Sequence, residues 1–185
     1  MALKATICKA TLQIADMDRN YYGDHALTVA RHPSETDERM MMRVLCYALH
    51  ATDSLGFGKG LSTDDEPDIW DKDLTGAIET WIDVGQPDER RIRRACGRAN
   101  EVHVYAYGDH GVGVWWSQAQ RDLERCRNLT VKRLPSAAAQ ALGRLAARNM
   151  ELHCTIQDGV VWLSDGDTTV DAAPETLQAR EPTRR

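Results

Sequence analysis

The residues of this sequence whose types and spacing promise chemistry are two aspartates, Asp68 and Asp83. They stand at the outer ends of a predicted β-hairpin, Asp64 to Pro87. Two runs with β-forming residues meet there at turn-prone Asp73, Leu74, Thr75 and Gly76, and Pro67 and Pro87 bracket the pair. Cross-strand pairing of aromatic residues places Trp70 opposite Trp81. The same antiparallel register sets Lys72 opposite Glu79 and Asp68 opposite Asp83. Lys and Glu on one rung attract. Two carboxylates whose Cβ atoms are about 5 Å apart repel unless a proton or a cation stands between them. A hard divalent ion such as Mg²⁺ suits oxygen ligands at that separation, which makes Asp68 and Asp83 candidate metal ligands. A solvated strand end without an ion accounts for the same pair. Glu79, four residues from Asp83 and roughly 13 Å along the strand, is too far to share the ion.

The elements around the hairpin decide what else reaches these acids. In Ile78 to Gly85 the apolar face carries Ile78, Thr80, Ile82 and Val84, and the other face Glu79, Trp81, Asp83 and Gly85. Upstream, Ser34 is expected to cap a helix whose start carries Glu35 and Asp37 and whose apolar stripe runs through Met42, Leu45 and Leu49. One turn back, that stripe lands on Glu38, an inward carboxylate or the fraying edge of the stripe. Downstream, Pro87 fits the first turn of a second helix, with Asp88 and Glu89 near its start and Arg90, Arg91, Arg93, Arg94 and Arg98 along its flanks. Such an arginine run is a solvated face or, because the helix begins beside Asp83 and Gln86, a phosphate contact. The glycine-rich stretch Gly56 to Ser62 lacks the spacing of a phosphate-binding loop and reads as a flexible connection. Of the adjacent Trp115 and Trp116, at least one is expected to point away from the core; packing is the expected role, with base stacking as the alternative.

The remaining chain alternates. A hairpin is predicted in the first thirty residues, a strand over 101–107, a helix over 114–126, a strand over 129–134, an alanine-rich helix over 136–148, and a late hairpin from 150–156 and 160–163. This pattern implies an α+β (mixed α/β) fold with a mixed sheet and helices upon it. One domain over 1–172 is expected, with 173–185 as a polar, flexible tail. With 42% hydrophobic residues, the 185-residue chain has enough apolar material for a core. A net charge of −5 opposes strong nonspecific adhesion to nucleic acid, although local patches remain available to phosphate. Five widely spaced cysteines without a Cys-x-x-Cys pair suggest reduced core residues rather than disulfides or a zinc ribbon. No apolar run is long enough to span a membrane and the start lacks a secretory pattern, so a cytoplasmic location without membrane attachment is expected.

The order of a helix with Glu38, a hairpin with Pro67-Asp68 and Asp83-Val84-Gly85, then helix and strand resembles the PD-(D/E)XK nuclease superfamily. Beyond that pattern, the wording of Ala30-Arg31-His32-Pro33-Ser34-Glu35-Thr36, Gly60-Leu61-Ser62-Thr63-Asp64-Asp65-Glu66-Pro67, Trp81-Ile82-Asp83-Val84-Gly85 and Thr155-Ile156-Gln157-Asp158-Gly159-Val160-Val161-Trp162-Leu163-Ser164 is similar to the YaeQ family, a bacterial group with this nuclease-like fold. The resemblance implies a restriction-endonuclease-like central mixed sheet flanked by helices, with extra N-terminal and C-terminal β-hairpins. It implies Mg²⁺ held by Asp68 and Asp83, Glu38 as accessory carboxylate, and a Mg²⁺-dependent phosphodiesterase acting on nucleic acid. Where the superfamily has its water-orienting lysine, this chain has Gly85. Gln86, Arg91 or Arg94 would have to stand in for it, and none is chemically equivalent to lysine. The alternative is a non-catalytic module that keeps the fold and binds nucleic acid or a protein.

Overall fold

The computed structural model describes residues 4–59 and 63–182. In chain order its elements are β1 (Thr6–Asp16), β2 (Tyr21–Arg31), α1 (Asp37–His50), β3 (Gly56–Phe57), β4 (Ile69–Lys72), β5 (Ile78–Val84), α2 (Glu89–Cys96), β6 (Ala99–Tyr107), α3 (His110–Leu123), β7 (Leu129–Leu134), α4 (Ser136–Gly143), β8 (Asn149–Gln157), β9 (Val160–Ser164), β10 (Thr169–Ala172) and β11 (Glu175–Gln178). They form a mixed α+β protein with two mixed sheets rather than the single central sheet expected. The sheets belong to two compact units, one within Met1–Ala51 and Ser136–Pro174, the other within Thr52–Pro135 and Glu175–Arg185.

In the first unit, alternation sets the sheet. Cys8, Ala10, Leu12 and Ile14 of β1 are buried while Lys9, Thr11 and Gln13 between them are exposed. β1 pairs antiparallel with β2 from Thr6↔Arg31 to Asp16↔Tyr21. The two terminal hairpins, read from sequence as separate additions, are joined: β1 lies parallel to β8 with Leu12 beside Leu152, giving the order β10-β9-β8-β1-β2. Helix α1 starts two residues later than the Ser34 cap predicts. The Ser34 hydroxyl is engaged by His32 Nδ1 at 2.6 Å, so Thr36 takes the cap, its Oγ1 accepting from Arg39 N. Instead of one apolar stripe, every residue from Met40 to Ala48 is buried. Arg43 is tolerated there because it forks onto Glu35, with Nε–Oε1 at 2.8 Å and Nη2–Oε2 at 2.7 Å. Helix α4 ends at Gly143, well short of Arg148, and i→i+3 bonds from Leu145 to Leu142 and from Ala146 to Gly143 tighten its exit.

In the second unit the order is β11-β7-β6-β5-β4-β3. Trp81, Val102, Val104, Leu129 and Val131 of the sheet pack with Ile92 and Ala95 of α2 and with Ala119 and Leu123 of α3. Gly56 and Phe57 add a short edge strand in place of a plain loop. Gly58 is required beyond it, since a Cβ there would stand 2.1 Å from Pro67 O. Positions 60–62 of the glycine-rich stretch lie outside the described residues. Of the expected tail, residues 173–182 do not fray, and positions 183–185 lie outside the described residues. Its Glu175–Gln178 pairs antiparallel with β7, and Gln178 Nε2 donates to Leu123 O at 3.0 Å. Among the described residues, no helix is long and apolar enough to cross a membrane.

Candidate functional site

The central hairpin has the expected register at its open end. Trp70 faces Trp81 and Ile69 faces Ile82, with the indole rings edge to face at 6.3 Å. Towards the turn it departs. Asp73 Oδ1 accepts from Thr75 N, Thr75 Oγ1 and Ala77 N, and this tight turn shifts the ladder at Asp71, so Lys72 faces Ile78 rather than Glu79. Those bonds, led by the Thr75 hydroxyl, lower the Asp73 pKa. Lys72 instead lies over the Trp70 ring with Nζ 3.6 Å from its centroid, and Glu79 accepts from Asn100 Nδ2.

Asp68 precedes Ile69 and Asp83 follows Ile82, so the correct part of the register carries both acids at the open end of the hairpin, where both are almost fully buried. Asp68 Oδ2 accepts from Val84 N at 2.8 Å. Asp83 is held by three donors: Trp81 Nε1 at 3.0 Å and Arg91 Nε at 3.0 Å on Oδ2, and Arg91 Nη2 at 2.9 Å on Oδ1. Arg91 therefore meets the carboxylate side-on, the strongest geometry available to this pair. Its remaining contacts clamp the preceding loop, with Nη1 donating to Asp64 O at 2.9 Å and Nη2 to Glu66 O at 3.0 Å. Burial opposes the Arg91 charge. The hydrogen bond to Asp83 and the negative charges of Asp83, Asp68 and Asp64 outweigh it and raise the Arg91 pKa.

Helix α2 aims Arg91 there. Its cap is Asp88, whose side chain accepts from Arg91 N at 2.9 Å, so Pro87 stands just outside the helix rather than in its first turn. Pro87 O accepts from Trp115 Nε1, and Trp115 and Trp116 are both half-buried against the core. Arg98 donates to Asp65 O and lies 5.2 Å from the Trp81 ring centroid. The other arginines of this run, Arg90, Arg93 and Arg94, are exposed, with Arg93 paired to Glu89. Gln86 is exposed, its Nε2 close to Gly111 of α3. Gly85 has φ +108°, a left-handed conformation that a lysine side chain rarely adopts. Glu38 belongs to the first unit, half-buried, with its Cγ 2.8 Å from where a Cβ on Gly143 would stand.

The two aspartates thus have a cation beside them, and it is a guanidinium. A divalent ion on Asp83 would compete with Arg91, which already occupies a lone pair on each oxygen. Among the described residues, no group of three or more His, Cys, Asp or Glu side chains is arranged to hold one. Sequence reading assigned Arg91 to phosphate and overlooked the Trp81 indole. The i, i+2 spacing of Trp81 and Asp83 on one strand face was the available signal.

Two mixed sheets with four helices among the described residues define a mixed α+β protein whose second unit holds an Asp83–Arg91 pair at the mouth of a hairpin. The profile of the family described as YaeQ protein matches residues 1–174. The chain belongs to the YaeQ family. It is 46% identical over 171 residues to the uncharacterized protein YaeQ of Escherichia coli (strain K12) and, to the same degree, of Salmonella typhi, covering 92% of this chain and 94% of each relative. Among solved structures it is similar to the crystal structure of YaeQ protein from Xanthomonas axonopodis pv. citri, with TM-score 0.92, 50% identity, and 95% of this chain and 99% of that one covered. The crystal structure of YaeQ protein from Pseudomonas syringae gives TM-score 0.91 at 32% identity, over 95% and 97% of the two chains.

Proposed function

We propose that this chain is a PD-(D/E)XK nuclease-like module that binds nucleic acid in the bacterial cytoplasm without cleaving it. The observation that carries the reading is the side-on Arg91–Asp83 pair, which spends the acid that hydrolysis would use for a metal on holding α2 and the 64–66 loop. Gly85 adds to it, because the backbone at the lysine position has turned left-handed. Phosphate contact then falls to the arginines that Asp83 does not occupy, Arg90, Arg93 and Arg94, with Gln86 at the head of the same helix.

Binding to single-stranded DNA and RNA across a salt series tests this. Three phosphate contacts give a log–log slope of about −2, and Arg94→Ala shallows it by about 0.7. Salt-independent binding, or none, overturns the reading and leaves a protein partner for the same surface. Continued by one residue, the Ile69↔Ile82 register puts Asp68 opposite Asp83, and this favours a second reading, a Mg²⁺-dependent phosphodiesterase. Robust, EDTA-sensitive cleavage that disappears in Asp68→Ala would establish it in place of the first.

A further inference from the structure

Alternation along β2 puts Tyr21, Gly23 and His25 on one face of the first unit's sheet. Tyr21 Oη lies 2.7 Å from His25 Nε2, and across the imidazole Tyr47 Oη of α1 lies 3.0 Å from His25 Nδ1. A hydroxyl donor favours the shorter separation and an N–H donor the longer, which assigns the imidazole proton to Nδ1. Tyr21 then donates to Nε2, and Nδ1–H donates to Tyr47. A side chain at position 23 would crowd this chain of bonds, since a Cβ there would stand 3.0 Å from Tyr21 Oη and 3.4 Å from His25 Nε2. The turn before β2 also fixes Tyr21. Arg19 lies over its ring, 5.1 Å from the centroid, and is itself anchored by Asp16 Oδ2 at 2.6 Å and by Ala51 O at 3.1 Å. Tyr47 is 5% exposed, whereas Tyr21 and His25 are half-buried on β2, the outermost strand of its sheet. Of the two phenols, only Tyr21 can meet a reagent from outside.

We propose that Tyr21 is a nucleophile that takes an acyl group from an activated ester, with His25 as its base and Tyr47 as a positioning residue for the imidazole. A nucleophile, a base and a third group that orients the base, each within hydrogen-bonding reach, are what makes a hydroxyl reactive. The edge strand suits an acyl donor as well. It turns alternate backbone N–H groups outward, and donors of that kind beside Tyr21 favour a carbonyl oxygen that gathers negative charge. As the Tyr21 oxygen bonds to the ester carbonyl carbon, its proton passes to His25 Nε2, while Nδ1–H stays on the Tyr47 oxygen. The bond from that carbon to the leaving oxygen then breaks, and the leaving oxygen takes the proton from Nε2. An ester and a phenol become an aryl ester on Tyr21 and a free alcohol, and nothing is oxidised or reduced.

The experiment treats the full chain with p-nitrophenyl acetate and maps acetylated peptides over time. Tyr22 serves as the internal reference, because it is 63% exposed and alternation turns it to the sheet face opposite His25. Tyr21 is expected to acquire acetyl about 100-fold faster than Tyr22, the lower end of what a positioned base contributes. Neutral hydroxylamine should then remove the group, as it does from an aryl ester and not from a lysine amide. His25→Gln brings Tyr21 down to the rate of Tyr22. Tyr47→Phe lowers the maximal acylation rate and leaves the ester concentration at half-maximal rate unchanged, a split that a merely structural hydroxyl would not give. Tyr21 acetylated no faster than Tyr22 overturns the proposal. So does acetyl that rests on His25 in place of Tyr21, or an unchanged Tyr21 rate in His25→Gln. Because Tyr21 and Tyr22 are compared within the wild-type chain, a variant that fails to fold does not blunt the test.

Discussion

A carboxylate as buried as Asp83, beside a second acid, demands a counter-charge, and Arg91 supplies it through two bonds below 3.1 Å. Removing one partner of such a pair strands the other. Arg91→Ala is therefore expected to lower stability by about 3–5 kcal/mol, most of it the cost of an uncompensated buried charge. The same variant exposes the acid pair to the cation that its register invites. Added Mg²⁺ or Mn²⁺ should recover part of the loss in the variant and leave the wild type unmoved, read as Tm by scanning calorimetry. A variant that melts like the wild type would show Arg91 idle. Arg91→Lys keeps charge without the fork and is expected to fall between. The need for a cation at this spot was legible in the sequence, because the Trp70–Trp81 rung fixes which acids are neighbours. Its identity was not legible. Five arginines along and just past α2 look alike, and only the helical phase set by the Asp88 cap, one residue beyond Pro87, turns Arg91 inward.

At the scale of elements, β11 shows what sequence polarity conceals. Glu-Thr-Leu-Gln has no clear apolar alternation, yet it pairs with β7 because an edge strand offers backbone donors and acceptors whatever the side chains. Its side chains then add fixings: Glu175 pairs with Arg133, and just beyond the strand Arg180 pairs with Glu101. The Glu101 pKa is lowered, first by a hydrogen bond from His103 and then, against burial, by the charge of Arg180. A lowered folded-state pKa means that the stabilisation is complete above the ordinary value of 4.5 and fades as pH falls through the lowered one. Acid should therefore loosen this attachment first in the wild type. In Arg180→Ala the Glu101 pKa rises towards 4.5 and the acid-side loss of stability becomes shallower. Tm measured from pH 7 down to pH 3 checks the sign, and an unchanged slope would remove Arg180 from the account. The boundaries that sequence did mark, such as β7 at Leu129–Leu134 and the late hairpin turn at Asp158-Gly159, are those where β-branched alternation or a turn residue with positive φ acts locally.

At the scale of the whole molecule, both units are discontinuous in sequence. The chain passes from one to the other after Ala51, after Pro135 and after Pro174. Local patterning reveals strands and helices, but pairing β1 with β8 joins residues some 140 positions apart, and no local signal specifies it. A chain ended at Pro174 makes the consequence measurable. It keeps the β10-β9-β8-β1-β2 sheet whole and strips β11 from β7, leaving Val131, Lys132 and Arg133 without their pairing strand and Leu123 O without Gln178. Amides of β7 and the last turn of α3 should then exchange faster, while the β1–β8 ladder keeps its protection. The bared edge should also make the truncated chain self-associate with rising concentration. Hydrogen exchange by mass spectrometry with light scattering reads both effects. Loss of protection in β1 and β8 before β7 would mean that the last strand serves the first unit, against the division drawn from the fold.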